Sequence, residues 1–134
     1  MKLYVDTNIF LDYLLERKNL DGKDISVPAQ RLFYRAMRCE FFIVISDHTA
    51  EELNRNLDLE KATMLLEFLK KKIVYLYKND ADCAEAEKMG KDNFSDALHA
   101  ALAKRSGADY IITRNTRHFE GLASGVKAKP PEDV

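Results

Sequence analysis

The 134-residue sequence contains only two cysteines, Cys39 and Cys83, too few for a disulfide framework and not spaced as metal ligands with each other or with His48, His99 or His118. Both read as small buried hydrophobes. An excess of one charge is missing too: Lys and Arg total 21 against 22 Asp and Glu, a net charge of −1. No global field announces a nucleic-acid or membrane partner, so any surface for one must be local. Long apolar runs are absent. The longest, residues 41–45, falls far short of the roughly 20 residues that a membrane-spanning helix needs. Asp6 and Asp12 interrupt the start of the chain, where an export signal would place its apolar core. These absences lead to the expectation of a cytoplasmic protein with no membrane partner. No internal repeat, low-complexity tract or linker divides the sequence, and residues 1–134 are expected to form one domain.

What is present is an alternation of strand and helix periods. Residues 3–5 read as a short strand, followed by Ile9, Phe10, Tyr13 and Leu14 at helical spacing. After a polar stretch at 18–26, Pro28 suits the first turn of a helix that carries Ala29, Leu32, Phe33, Ala36 and Met37. Residues 41–45, Phe-Phe-Ile-Val-Ile, form the continuous apolar run of a strand buried on both faces of a parallel sheet. One or two helices are expected in 47–72, with Leu59, Ala62, Leu65, Leu66 and Leu69 on one stripe, and a strand at 73–77. Helices at 80–89, closed by Gly90, and 95–106, closed by Gly107, precede a fourth strand at 110–112. The tail from Gly121 carries at most one short strand near Val126 before Pro130 and Pro131 end regular structure. Strands separated by helices predict an α/β fold, a parallel sheet covered on both faces, whose ligand sits beyond the carboxyl ends of the strands.

The residues following the strands are therefore the ones to read for function. Val5-Asp6-Thr7-Asn8 ends the first strand; Ser46-Asp47 ends the second, with Glu51 and Glu52 further along; Asn93-Phe94-Ser95-Asp96 opens the last long helix, and Thr113-Arg114-Asn115 follows the fourth strand. Each has a plain explanation. Asp6 or Thr7 can cap a helix, Asn93 with Asp96 resembles a capping box, Glu52 suits an exposed helical face, and Asn115 suits a turn. Capping, however, does not require all the caps to lie at one edge of one sheet. Carboxylates gathered without basic partners are costly unless a cation sits among them, and oxygen ligands select Mg²⁺ or Mn²⁺ over zinc.

Three stretches together resemble a known family: Tyr4-Val5-Asp6-Thr7-Asn8 with Phe10 and Leu11; Ile45-Ser46 leading to Glu52-Leu53; and Ser95-Asp96-Ala97-Leu98-His99-Ala100-Ala101-Leu102-Ala103 running to Ile112-Thr113-Arg114-Asn115. Their order and spacing are similar to those of toxin-type PIN domains, small metal-dependent ribonucleases, over residues 3–119, with 120–134 left as a C-terminal strand and tail. The resemblance implies a single-domain, three-layer α/β/α fold with a parallel sheet of about five strands, residues 126–128 supplying the fifth. It makes Asp6, Glu52 and Asp96 the ligands of Mg²⁺ or Mn²⁺ and puts Asn115 at a fourth catalytic position, where many members have aspartate and where the lost charge favours one ion over two. Thr7, Asn8 and Thr113 become supporting polar residues, with Asp92 and Glu51 as possible substitutes among the acids.

The implied activity is hydrolysis of RNA phosphodiester bonds by an endoribonuclease, with a homodimer and a cognate antitoxin as implied partners. Arg114 and Arg117, beside Asn115, are the substrate-binding candidates; the row Arg31, Arg35 and Arg38 and the run Lys70-Lys71-Lys72 read as solvated helix surface, and His99 as a residue packed near the site. Two other classes compete. A non-catalytic RNA- or protein-binding scaffold is kept open by Asn115, and phosphoryl transfer through Asp6 is opposed by Asn8, where a second aspartate would be expected.

Overall fold

The computed structural model describes residues 1–89, 92–122 and 124–134. Five strands, β1 (Lys2–Val5), β2 (Phe42–Ser46), β3 (Ile73–Leu76), β4 (Tyr110–Ile112) and β5 (Lys127–Lys129), form one sheet in the order β3-β2-β1-β4-β5. All neighbours are parallel, with Tyr4 opposite Val44 and Val5 opposite Ile112. The helices are α1 (Thr7–Leu14), α2 (Ser26–Met37), α3 (Asp47–Asn56), α4 (Leu59–Leu69), α5 (Asp80–Met89), α6 (Phe94–Ser106) and α7 (Thr116–Gly121). Alternation along the strands divides the interior in two. Leu3, Val5, Ile43, Ile45 and Ile112 meet Ile9, Phe10, Leu32, Phe33, Leu53 and Leu69 on one face, while Tyr4, Val44 and Ile111 meet Ala97, Ala100, Leu102 and Phe119 on the other. The result is the expected three-layer α/β/α sandwich, with 126–128 as the fifth strand displaced by one residue.

Because every strand runs the same way, their carboxyl ends share one rim, and the pairing that makes the rim is explicit. Asp6 N donates to Ile112 O at 2.9 Å, and Thr113 N donates to Lys129 O at 3.0 Å. The alanines of α6 let that helix lie close against the sheet, and from Ala97 to Ala103 every side chain is buried. The helix ends as its sequence indicates, on Gly107 at φ +72°. A Cβ there would touch nothing within 4 Å, so Gly107→Ala tests the left-handed backbone alone. We expect it to lower stability in urea by about 1–2 kcal/mol.

Several expectations change. Gly90, expected to close α5, lies outside the described residues. Phe42 is 47% exposed at the start of β2, and β3 is half-buried because an edge strand has a neighbour on one side only. The six residues of α7 were not expected to be helical, and Pro131–Asp133 form a 3-10 turn where regular structure was expected to end. The polar stretch at 18–26 is folded: Lys18 bridges Asp24, and Asn19 Oδ1 accepts from the amides of Asp21 and Lys23. Neither cysteine is a buried hydrophobe. Cys39 is exposed at φ +67° in the turn after α2, with Lys72 Nζ donating to its Sγ at 2.9 Å, and Cys83 is half-buried. Among the described residues, no helix is long and apolar enough to cross a membrane.

Candidate functional site

β1 delivers Asp6 to the rim as the N-cap residue of α1, but the side chain makes no capping hydrogen bond. Its Oδ2 instead accepts from Thr113 Oγ1 at 3.0 Å, at the end of β4. The carboxyl is only 4% exposed. Burial pushes its pKa up, the charge of Asp96 and Glu52 pushes it further, and only His99 and the Thr113 hydroxyl pull it back. Capping therefore does not explain Asp6.

At Asp96 the plain explanation is half right. Asn93 caps α6 by accepting from Asp96 N at 3.1 Å, and its Nδ2 donates to Asp96 Oδ2 at 3.0 Å. Burial nevertheless raises the Asp96 pKa, with Glu52 adding to the rise and His118 and His99 opposing it. His118 Nε2 lies 3.2 Å from Asp96 Oδ2, but off the line a hydrogen bond needs, and this buried nitrogen has no hydrogen-bond partner.

Glu52 does not face solvent as the exposed-face reading would have it. From the second turn of α3 its Oε1 accepts from Thr7 Oγ1 at 2.9 Å and meets His99 Nε2, while Oε2 accepts from Ser95 Oγ at 3.0 Å. Burial raises its pKa, but the His99 hydrogen bond and charge, the Thr7 hydroxyl and His48 outweigh this and hold it at about 2. His99, 1% exposed, completes a line of hydrogen bonds: its Nδ1 is 2.7 Å from Tyr4 Oη, which is 2.9 Å from Ser46 Oγ. Burial opposes charge on this ring, but Tyr4, Glu52 and Asp6 together lift its pKa to about 10. His48, one helical turn before Glu52, packs against His99 with ring centroids 4.4 Å apart and planes tilted by 43°.

The two histidines carry little signal in the sequence: their positions predict His99 only as packing near the site and give His48 no part. Among the described residues, the group whose ligand atoms all lie within 4.8 Å of one another is His48, Glu52 and His99. Asp6, Glu52 and Asp96 affect one another's charge but do not form such a group, and both oxygens of Glu52 are bonded to its neighbours. A usable signal was present: His48 and Glu52 stand four apart on one helix, and His99 stands three after Asp96 on another.

The remaining candidates divide. Thr7 and Thr113 each bond an acid, as expected of supporting residues. Asn8 is exposed and accepts from Arg17 Nη1, with no hydrogen bond to the three acids. Asn115 is exposed at the rim, its amide donating to Thr113 Oγ1 at 3.1 Å. Glu51 is committed to Lys78, 2.7 Å away, so it does not substitute for Glu52. Arg114 does not project toward a substrate. Its guanidinium is taken up by Asp12 at 3.1 Å, by Glu132 and by the carbonyl of Ile25, a structural clamp. Arg35 of the helical row is likewise bound, to Glu40 and to the carbonyl of Val134. Arg117 is exposed, and with Asp92, Asn93 and His118 it lines a cavity of about 330 Å³.

The donor set fits an oxygen-bound divalent ion. Among the described residues, Asp6 and Asp96 each keep one carboxylate oxygen without a hydrogen-bond donor, and neither is paired with a lysine or arginine. Buried carboxylates of this kind want a cation. A family profile described as PIN domain matches residues 2–117. Among the solved structures that share the architecture, three illustrate how low the identity is. VapBC2 from Rickettsia felis, bound to a DNA fragment from their promoter, has 15% identity and a TM-score of 0.66, covering 97% of this chain and 98% of that one. VapBC-1 from nontypeable Haemophilus influenzae has 18% identity and a TM-score of 0.63, covering 98% of each chain. Mycobacterium tuberculosis VapC20, a Sarcin-Ricin loop cleaving toxin, has 17% identity and a TM-score of 0.60, covering 90% and 95%. No curated protein matches the chain.

Proposed function

The chain belongs to the PIN domain family, and from that premise we propose that it is a metal-dependent endoribonuclease hydrolysing RNA phosphodiester bonds with Mg²⁺ or Mn²⁺ held by Asp6, Glu52 and Asp96. What supports this reading is that Asp6 at the end of β1, Glu52 in α3 and Asp96 in α6 are buried or half-buried, that the charges of Glu52 and Asp96 raise the Asp6 pKa and that of Glu52 raises the Asp96 pKa, and that none of the three is paired with a lysine or arginine among the described residues. When bound, the ion supplies a water of lowered pKa and neutralises charge developing on the phosphoryl oxygens. Asp6 and Asp96 offer their unbonded oxygens to it, and Thr113 fixes the plane of the Asp6 carboxylate. Glu52, with its pKa near 2, stays anionic at every working pH, held by Thr7, Ser95 and His99. Asn115 contributes an uncharged amide at the fourth position, which favours one tightly held ion.

Arg117, at the open rim, is the residue to meet an RNA phosphate. A charge-assisted hydrogen bond contributes roughly 1.5 kcal/mol, so Arg117→Ala should raise KM about tenfold with kcat unchanged. Steady-state cleavage at low salt reads this directly. The resemblance to proteins of the VapC and VapBC kind supports a toxin role with an antitoxin protein as partner; a homodimer is proposed only as what membership of the family implies.

The reading as a whole is tested by incubating purified protein with a structured RNA pool in Mg²⁺, in Mn²⁺ and in chelator. Cleavage that needs the ion and is absent from Asp96→Asn supports it. Failure of the folded chain to bind Mn²⁺ would leave the scaffold reading in its place.

A further inference from the structure

Two imidazoles beside one carboxylate are a poor ligand set for Mg²⁺, which takes oxygen. We propose that His48, Glu52 and His99 form a second cation site for a borderline transition ion of the Zn²⁺ kind, sharing Glu52 with the acidic site and withdrawing it when filled. The binding step stands on the cluster alone, and its effect on cleavage rests on the function proposed above.

The donors are arranged as such a site needs. Their ligand atoms lie within 4.8 Å of one another, His48 Nε2 being 3.6 Å from Glu52 Oε1, and two of the three come from one face of α3, four residues apart. Imidazole nitrogen with carboxylate oxygen is a donor set for Zn²⁺, Co²⁺ or Ni²⁺. The outer partners are also in place. Tyr4 Oη holds His99 Nδ1 at 2.7 Å, which turns Nε2 inward, and Ser95 Oγ holds Glu52 Oε2 at 3.0 Å, which leaves Oε1 facing the histidines. Glu52 is half-buried and opens to the rim, so an ion has a way in past it.

Binding has definite consequences for protons and for geometry. His48 Nε2 now contacts the hydroxyl of Ser95 at 2.9 Å and its carbonyl at 3.2 Å, and ligation takes it off both. The proton that His99 Nε2 holds toward Glu52, and any on His48 Nε2, leave to solvent, and the ion takes the place of the direct His99–Glu52 hydrogen bond. Glu52 Oε1 is then spent on the nitrogen-bound ion, and Asp6 and Asp96 are left to hold Mg²⁺ without it. Zn²⁺ in excess thus acts as an inhibitor of Mg²⁺-dependent cleavage.

The test uses the full metal-stripped chain titrated with Co²⁺ and then Zn²⁺, followed by visible absorption. The wild-type protein and Asp96→Asn should both develop the intense d–d bands of Co²⁺ in a site of low coordination number, and one equivalent of Zn²⁺ should abolish them. His48→Gln, checked for fold by circular dichroism, should bind at least about tenfold more weakly, the smallest loss expected when even an outer partner is removed. Whatever Mg²⁺-dependent cleavage it retains should no longer be inhibited by Zn²⁺. Tyr4→Phe, which removes the hydroxyl on His99 Nδ1 but no atom that binds the ion, should weaken Co²⁺ binding in the same direction. A wild-type spectrum with only weak six-coordinate bands, equal affinity in His48→Gln, or a signal lost in Asp96→Asn instead would overturn the proposal. If no ion supports RNA cleavage and the Co²⁺ bands still depend on His48, the proposed activity fails and this site stands.

Discussion

Asp6→Asn should reduce RNA cleavage by about 10²–10³-fold, the usual effect of removing one preorganised charge-stabilising group, and should make the metal-free protein harder to unfold. The two effects share a cause. In the folded chain the Asp6 carboxyl lies above its ordinary value of 3.8, chiefly through burial, so the folded state binds a proton more tightly than the unfolded state does. The contribution of Asp6 to stability is therefore fully present below pH 3.8 and is lost as pH rises through the higher folded value. At neutral pH its charge opposes folding. An amide of the same shape can still accept from Thr113 and removes the opposition, a gain on the order of 1 kcal/mol, or roughly 4 °C in Tm. Mg²⁺ should raise the Tm of the parent and not of the variant. Thermal melts with and without Mg²⁺, beside a gel assay of cleavage, decide the matter. A variant that is both inactive and less stable would mean that the protein itself satisfies the Asp6 charge, and the case for a cation there would fail.

Arg114→Ala should do the opposite, lowering stability by about 3 kcal/mol, the lower end of what breaking a buried ion pair costs, while leaving kcat per folded molecule unchanged. Asp12 is 2% exposed on the inner side of α1, and burial pushes its carboxyl up against the pull of Arg114 and Arg17. Without Arg114 only Arg17, at 3.6 Å, remains beside it. The same substitution releases Glu132 near the C-terminus and the carbonyl of Ile25 ahead of α2, so three distant segments lose their common clamp. Urea unfolding measures the loss. In a background of Asp12→Asn, where no charge is left stranded, the further cost of Arg114→Ala should be clearly smaller. An unchanged urea midpoint with a raised KM would restore Arg114 to the role of a substrate contact.

Arg114 also shows where a sequence stops being readable. Its neighbours in the chain, Thr113 and Asn115, are rim residues, and nothing local says that it points to Asp12, 102 positions away. The same holds for His48, whose meaning depends on α3 and α6 coming together, and for Cys39, whose exposure follows from the turn after α2. By contrast, β2 and the ends of α6 were legible because their causes are local: an unbroken apolar run, an asparagine cap, and a glycine where the backbone turns left-handed. Asp6, Glu52 and Asp96 stood out because the three stretches that carry them resemble a known family in order and spacing, which no single acid could have signalled. What spacing could not convey was that Glu52 would be turned toward the histidines. The six-residue α7 was missed since Phe119 alone is buried on it, too little apolar pattern to register.

The place of β1 in the sheet bears on the order of events during synthesis. Of the five strands the earliest made is the central one, and one of its two neighbours, β4, arrives more than a hundred residues later. A nascent chain that has emerged as far as α5 holds Asp6 and Glu52 yet lacks Asp96 and Thr113, and the amide of Asp6 still waits for the carbonyl of Ile112. Pairings so distant in sequence are among the slowest to form. The rim therefore closes as a late event of vectorial folding, and a partly made chain carries the two earliest acids without the strand that turns them into a site.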